Sequence, residues 1–399
     1  MKKKLKKMAS IAFACLLLIS LLGCVELEEE SDLFEDSRGG IQDEEPACAE
    51  FEELSEDISV DTTLDGCYRI TDSITVRDGA VLTIEPGSVL HFEQDVGLEI
   101  TSKSALKAVG EADSKIWFTG EQKTKGYWKG ICFYGTDSTD NVLDNVIIEY
   151  GGGSYWYRGD DESNLNVDSA RVRVTNTKIR NSGGWGFYFY HTDVTEFNNN
   201  IITSNTKGAG CLYSANDAED IDSSSTYTGN DKDIVFVDSG TVEDDQTWSA
   251  INVPYLFDGD IKVESQVTIE AGATLSFAQD ASILVTSSGS LNAEGTETEP
   301  ILFTGEQKTK GYWNGICFYG TDSTDNVLDN VIIEYGGGSY WYRGDDESNL
   351  NVDSARVRVT NTKIRNSGGY GIYNYYGDLT KNNIEYNDNS YGNYYEYGA

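Results

Sequence analysis

Short runs in which apolar and polar residues alternate recur along the chain from about residue 65 onward. Examples are VLTIEPGSVLHFE, NVLDNVIIEYGG and ARVRVTNTKIRNS. These runs end in glycine, asparagine, aspartate or serine, which favour turns. The same region carries no convincing apolar stripe of period 3.6, which an amphipathic helix would need. The pattern therefore predicts an all-β fold built from short strands.

The strand runs return every ~20–25 residues, a spacing typical of repeat architectures. Asparagine stands before isoleucine or valine at several of these returns, for example at Asn145 and Asn382-Asn383. At a turn, asparagine tolerates a left-handed backbone and can hydrogen-bond a neighbouring coil. We therefore expect a solenoid whose inward side chains stack from coil to coil. An antiparallel sandwich or two separate domains are the alternatives. The repeat pattern continues without a break across residues 205–255, which favours one solenoid.

Two copies of one long unit follow each other at an offset of 185 residues. Residues 118–184 match 303–369 with one difference, Lys129 against Asn314. We place the first copy at 65–249 and the second at 250–399. The near-identical middle indicates duplication, and it does not by itself show that the middle is functional.

Several phrases carry a more specific resemblance: TIEPG, GYW-x-GI-x-F, NVLDNVIIEYGG and VRVTNTKIRNSGGWG. They resemble the right-handed parallel β-helix repeats of bacterial surface lipoproteins, in the broad pectate-lyase-like superfamily. The resemblance covers about 65–399 and implies a right-handed parallel β-helix in two tandem copies. It implies little about activity, because that fold carries lyases, hydrolases, adhesins and inert stalks.

The N-terminus predicts export and lipid attachment. Residues 1–23 contain five lysines followed by a short apolar run, as a secretory signal does. Leu21-Leu22-Gly23-Cys24 resembles a lipobox, which implies lipidation at Cys24 and membrane attachment through that lipid. An ordinary signal peptide with a chance cysteine is the alternative. Residues 24–64 are acidic and predict a tether with a possible N-terminal cap. We expect a lipid-anchored protein of a bacterial cell envelope, at the outer membrane or cell surface.

The net charge indicates which classes of partner the protein can bind, and the cysteines indicate the redox state of its compartment. The net charge is −37, and it becomes −42 without residues 1–23, which hold five lysines and no acid. Such a surface repels nucleic acid, and it repels acidic polysaccharides unless a divalent cation bridges them. We expect a monomer without a nucleic-acid partner. Cys48 and Cys67 form a possible disulfide in an oxidising compartment. Cys132 and Cys317 are predicted to be buried free thiols.

The stretch GGGSYWYRGDDESN occurs at 151–164 and again at 336–349, between predicted strands. Its aromatic rings suit the C–H faces of sugars, and its arginine suits hydroxyl groups. The stretch therefore predicts a site for a polysaccharide or surface glycan. The alternative is that the aromatic side chains lie back on the solenoid and cover an apolar seam. The candidate ligand-binding residues are Tyr155, Trp156, Tyr157, Arg158, Tyr340, Trp341, Tyr342 and Arg343.

The carboxylates of the repeated stretch are candidates for two other roles. Calcium takes six to eight oxygen ligands, although D-D-E-S-N is not the spacing of an EF-hand loop. Glycoside hydrolysis needs two carboxylates about 5–10 Å apart. The candidate calcium ligands are Asp160, Asp161, Glu162, Asp345, Asp346 and Glu347, and the four aspartates among them are also the catalytic candidates.

The two histidines do not form a duplicated site. His91 and His191 have Ser276 and Tyr376 as counterparts. The sequence thus favours a non-catalytic glycan-binding or adhesion scaffold. A polysaccharide lyase or glycoside hydrolase of the β-helix type, and a stalk without a ligand, are the alternatives. If the loops are functional, we expect two equivalent sites on one face, about eight coils apart at ~4.8 Å per coil.

Overall fold

The computed structural model describes residues 43–398. The predicted signal peptide, the lipidation site Cys24 and the first part of the predicted tether lie outside the described residues. All the strands described below belong to one compact unit, Glu45–Ala399. No helix of the described part has the length and apolar character needed to cross a membrane.

In the described residues, nineteen short strands precede a 3₁₀ helix at Ala215–Asp220. They are β1 (Glu52–Leu54), β2 (Thr62–Leu64), β3 (Cys67–Ile70), β4 (Ile74–Val76), β5 (Val81–Ile84), β6 (Val89–Phe92), β7 (Gly97–Thr101), β8 (Ala105–Val109), β9 (Ile116–Gly120), β10 (Gly130–Tyr134), β11 (Val142–Asp144), β12 (Val146–Glu149), β13 (Ser163–Asp168), β14 (Arg171–Thr175), β15 (Lys178–Arg180), β16 (Trp185–Tyr190), β17 (Asp193–Asn198), β18 (Ile201–Thr203) and β19 (Gly208–Leu212).

Twenty further strands follow the helix. They are β20 (Val235–Val237), β21 (Gly240–Val242), β22 (Gln246–Trp248), β23 (Tyr255–Phe257), β24 (Asp260–Val263), β25 (Gln266–Ile269), β26 (Thr274–Phe277), β27 (Ser282–Val285), β28 (Ser290–Glu294), β29 (Ile301–Gly305), β30 (Gly315–Tyr319), β31 (Val327–Asp329), β32 (Val331–Glu334), β33 (Ser348–Asp353), β34 (Arg356–Thr360), β35 (Lys363–Arg365), β36 (Tyr370–Tyr375), β37 (Asp378–Asn382), β38 (Glu385–Asn387) and β39 (Gly392–Tyr397).

The strands wind in coils of three, and each strand pairs in parallel with its counterparts in the neighbouring coils. Before the helix, sheet 1 runs from β1 to β18, and sheet 3 runs from β2 to β17. Sheet 2 has thirteen strands and runs from β4 past the helix to β38. After the helix, sheet 4 runs from β21 to β39 and sheet 5 from β22 to β37. The predicted parallel β-helix solenoid is confirmed.

The core lies inside the coils and is built from columns of stacked apolar side chains. On sheet 2, Ile100, Phe133, Val167 and Phe189 pair in register, and all four are fully buried. Burying one such side chain contributes about 1.5–3 kcal/mol. Asparagine ladders support the turns as predicted, since Asn200 donates to the carbonyl of Val174 in the preceding coil at 3.0 Å.

The second copy is displaced by one face of the solenoid relative to the first. Strand β9 lies in sheet 1, but its counterpart β29 lies in sheet 2. Likewise β10 lies in sheet 2, and its counterpart β30 lies in sheet 4. Equivalent strands of the two copies are 20 strands apart, and the 3₁₀ helix and the segment after it take two further strand positions between β19 and β20. At three positions per coil, these 22 positions are not a whole number of coils, so equivalent strands lie on different faces.

This displacement overturns one expectation from the sequence. The first copy of the repeated stretch lies between β12 and β13, where sheet 1 passes into sheet 2. The second copy lies between β32 and β33, where sheet 2 passes into sheet 4. The first stretch therefore precedes a strand of sheet 2 and the second follows one, so the two stretches lie at opposite ends of the strands of that sheet. The expectation that they share one face is wrong.

A disulfide holds the N-terminal end of the solenoid. Cys48 and Cys67 are bonded, with their Cα atoms 6.0 Å apart. Both sulfurs pack against an apolar cluster of Val89, Trp117 and Ile147 on the outer side of sheet 1. Strands begin at Glu52, so the solenoid includes part of the segment 24–64 that the sequence assigned to a tether and cap.

Candidate ligand-binding loops

We call residues 151–162 the first loop and residues 336–347 the second loop. Each loop covers the outer side of the strand beside it. In β10, Ile131 and Phe133 belong to the core, so Cys132 between them faces outward. Cys132 is nevertheless fully buried, and so is its counterpart Cys317. Both thiols are free, as predicted, and burial raises their pKa well above the ordinary value.

Asp161 organises the first loop from inside. Its side chain is 1% exposed and accepts three backbone N–H groups, from Trp156 (2.8 Å), Tyr157 (3.0 Å) and Arg158 (3.0 Å). Its own carbonyl accepts from the side chain of Ser163 at 3.2 Å. Hydrogen bonds to a carboxylate are stronger than those between neutral groups, so this residue fixes the loop backbone.

Asp346 does the same in the second loop. It is 1% exposed and accepts the N–H groups of Trp341 (2.7 Å), Tyr342 (2.9 Å) and Arg343 (3.2 Å). Both carboxylates are thus already bonded to the loop backbone, which is a scaffolding task.

Trp156 lies back on the solenoid. A Cβ added at Gly97 in β7 would meet the indole ring at 2.6 Å, so the ring rests directly on that glycine. The ammonium of Lys129 lies 4.0 Å from the ring centroid, within cation–π range. The indole N–H of Trp156, like that of Trp341, is buried without a hydrogen-bond partner in the described residues. For this side chain the structure matches the seam-covering alternative.

The tyrosines of both loops face solvent. Tyr155 is 58% exposed and its counterpart Tyr340 is 59% exposed. Tyr157 stacks on Tyr134 of β10 with ring centroids 4.2 Å apart, and both rings keep at least 40% of their surface exposed. Burial and a hydrogen bond to Glu99 raise the pKa of Tyr157. Each loop therefore presents a platform of exposed aromatic rings.

The same platform recurs beside the second loop. Tyr342 and Tyr319 pack with ring centroids 4.6 Å apart, and both are more than 40% exposed. Burial raises the pKa of Tyr342 as well.

The arginines connect each loop to the next coils. The guanidinium of Arg158 bonds Asp168 of β13 at 3.1 Å and lies 3.3 Å from the ring centroid of Tyr190. Arg343 bonds Asp353 at 3.0 Å and lies 3.8 Å from the ring centroid of Tyr375. Both cations are therefore already paired, although each stays partly exposed.

The outer carboxylates differ between the loops. Lys207, which precedes β19, donates to Asp160 and to Glu162, the latter at 2.7 Å. Burial would lower the pKa of Lys207, but the hydrogen bonds to these two carboxylates outweigh it and raise that pKa. In the second loop, no lysine or arginine of the described residues forms an ion pair with Asp345 or Glu347.

The structure assembles no metal cage at these loops. Within residues 43–398, no group of three or more His, Cys, Asp or Glu side chains is arranged to hold a metal ion. Asp160 and Asp161 do not converge, since Asp161 is bound to the backbone and Asp160 to Lys207. The calcium and catalytic roles stay predictions.

Sequence reasoning missed several residues that complete the platforms. Tyr134, Lys207 and Tyr190 are 21 or more residues away from the first loop's tyrosines in sequence, and they meet the loop only because coils stack. The signal that would have found the two tyrosines is the strand register, because Tyr134, Asp168 and Tyr190 occupy one outward column.

Comparison with known families agrees with this architecture. The family model described as a right handed beta helix region matches residues 60–228, and the model described as a pectate-lyase like beta helix domain matches residues 240–367. No curated protein and no solved structure matched the chain.

The fold thus defines the class, a right-handed parallel β-helix. Within that class, the solenoid is a β-helix of the pectate-lyase-like type, and the pectate-lyase-like match itself lies in its second half.

Proposed function

We propose that this protein is a non-catalytic carbohydrate-binding scaffold, held at a bacterial cell envelope by a lipid on Cys24. One observation carries the proposal: in each copy, exposed tyrosine rings surround a loop whose inner aspartate is committed to holding the backbone. Aromatic rings presented on a rigid frame bind with little loss of side-chain entropy. Sugar C–H faces suit such rings.

Rigidity supports binding in preference to chemistry. A loop fixed by three charge-assisted hydrogen bonds loses little freedom when it takes a ligand. General acid catalysis needs a carboxyl group free to transfer a proton. Asp161 and Asp346 are occupied by amides, and no other observation favours the lyase or hydrolase alternative.

The test is a glycan array with the full-length protein and a variant that removes four exposed rings, with Tyr155, Tyr157, Tyr340 and Tyr342 each changed to Ala. We expect the wild type to bind and the variant to lose at least about tenfold in affinity. A control changes Tyr68, a half-buried ring near the disulfide and far from the loops along the chain, and should bind normally. Absence of wild-type binding, or equal binding by the variant, would contradict the proposal.

A further inference from the structure

The two loops have identical sequences but different neighbours, and the difference lies in one position of the next coil. The N–H of Lys207 donates to the carbonyl of Gly184 at 3.0 Å. In the second copy, the N–H of Tyr391 donates to the carbonyl of Gly369, the counterpart of Gly184, at the same distance. Tyr391 therefore occupies the place of Lys207.

In the first copy, that place supplies an ammonium to two carboxylates. Lys207 bridges Asp160 and Glu162, and its Nζ lies 6.0 Å from the ring centroid of Trp185. The arrangement is a complete ammonium site, with two carboxylates on one side and an aromatic ring nearby. The ligand is a side chain of the protein itself.

In the second copy, no ammonium of the described residues pairs with the corresponding carboxylates. Oε2 of Glu347 is buried and has no hydrogen-bond partner in the described residues. Burial and the nearby charge of Asp345 raise the pKa of Tyr373 to about 12, so a negative potential acts on the rings there. A buried carboxylate oxygen without a partner is unfavourable, and a cationic ligand would relieve it.

Aromatic rings replace the lysine around this site. Tyr391 is 58% exposed, and its ring centroid lies 5.6 Å from that of Tyr370, the counterpart of Trp185. Tyr370 also lies 5.3 Å from Tyr395, which stacks on Tyr373. Ring faces attract cations as well as sugar C–H groups. Carboxylates and rings side by side suit a ligand that joins an ammonium directly to a sugar ring.

We propose that Asp345, Glu347 and Tyr391 form a binding site for a protonated amino sugar, such as a unit of a glucosamine polymer lacking N-acetyl groups. The inference rests on the proposed carbohydrate binding and specifies the ligand class of the second loop. The first loop lacks this specificity because Lys207 fills its carboxylates. The acidic surface favours a polycationic glycan over an anionic one.

The experiment compares a glucosamine hexamer with its fully N-acetylated form by calorimetric titration of the full-length protein at mildly acidic pH. We expect the free-amine hexamer to bind about tenfold tighter or more, at one site per chain. Tyr391→Lys supplies the ammonium in cis, as the first copy does, and should abolish the preference. Tyr391→Phe keeps the ring and should retain it. Glu347→Gln provides an independent test should the lysine variant fold poorly.

A reciprocal variant tests the same logic in the first copy. Lys207→Tyr exposes Asp160 and Glu162, and we expect it to add a second site for the free-amine hexamer. Equal binding of both hexamers, an unchanged Tyr391→Lys variant or no second site in Lys207→Tyr would overturn the inference while leaving carbohydrate binding intact. Tighter binding of an oligolysine peptide than of the hexamer would also overturn it. Absence of binding to any glycan would overturn both proposals.

Discussion

The first and second loops have the same sequence of twelve residues but different surroundings, so comparing them separates the effect of sequence from the effect of neighbouring coils. The inner parts agree, since Asp161 and Asp346 each hold three amides. The surroundings of the outer carboxylates differ. Lys207 pairs with Asp160 and Glu162 in the first loop, whereas the uncharged Tyr391 takes its place beside the second loop. The sequence of a loop determines its shape, whereas the stacked coils determine its charge and thus its ligand.

A second pair of equivalent regions also has the same inner contacts but different covering residues. On sheet 1, Glu149 is 2% exposed and accepts from Arg180 at 2.7 Å, and on sheet 2 its counterpart Glu334 accepts from Arg365 at the same distance. Among the described residues, an additional carboxylate covers the first region and not the second. Glu45 pairs there with Lys123 at 2.6 Å and with His91, whose counterpart is Ser276.

The largest effect is expected from removal of the inner aspartate. Asp161→Ala leaves three amides without their acceptor, and we expect a loss of about 3 kcal/mol or more in the unfolding free energy of the first loop. Asp346→Ala should cost the same in the second loop, because the geometry is the same. Hydrogen exchange at residues 156–158 and 341–343 measures both. Asp160→Ala, at an exposed carboxylate, is the control and should leave these amides protected. Unequal losses would break the claim of a shared frame.

A smaller effect is expected from Glu45, which only the first region has. Burial alone would raise its pKa, but hydrogen bonds from His91 and Lys123 outweigh this and lower it from 4.5 to about 2. The folded state thus binds the proton more weakly than the unfolded state does. The stabilisation is fully present above about pH 4.5 and is lost as the pH falls toward 2.

Glu45→Gln should therefore lower the unfolding free energy by about 1–3 kcal/mol at neutral pH. The difference from wild type should shrink between pH 4.5 and 2. Urea unfolding at a series of pH values measures it, and Glu53→Gln, at an exposed position of β1, is the control. A difference that does not change with pH would show that the ion pairs contribute nothing.

The smallest loss of stability is expected at the one position that differs between residues 118–184 and residues 303–369. Lys129 lies over Trp156, while the second copy has Asn314. Lys129→Asn should cost about 0.5–1 kcal/mol, typical of a cation–π contact near the surface. A double-mutant cycle with Trp156→Leu isolates the contact, and a coupling energy of zero would show that the contact contributes no stability.

Alternation and turn residues predicted the strands, because inward and outward positions follow directly from a period of two. The recurrence of strand runs favoured a solenoid, and the resemblance to known repeats supplied the parallel β-helix. The buried thiols Cys132 and Cys317 were predicted from their place in an apolar strand, but the loops that cover their outward-facing side chains were not. The displacement of the second copy by one face was not predictable. It depends on the number of strand positions between equivalent strands, and two of those positions are taken by the 3₁₀ helix and the segment after it, which no strand pattern marks.

The candidate loops were located from the sequence, but the roles of their residues were not separable there. Asp160 and Asp161 are neighbours of equal chemistry, yet one reaches Lys207 and the other turns inward. Lys207 is 47 residues from Asp160, and the registers of β13 on β16 and of β16 on β19 bring them together. Trp156 and its flanking tyrosines likewise look alike in sequence, although only the tyrosines stay exposed.

The most direct test of the central claim is hydrogen exchange of the full-length protein with and without the glucosamine hexamer. We expect added protection in residues 340–347 and around Tyr391, with little change in residues 155–162, where Lys207 already fills the site. Equal protection of both loops, or protection confined to regions away from them, would contradict the claim that the stacked coils decide what each loop binds.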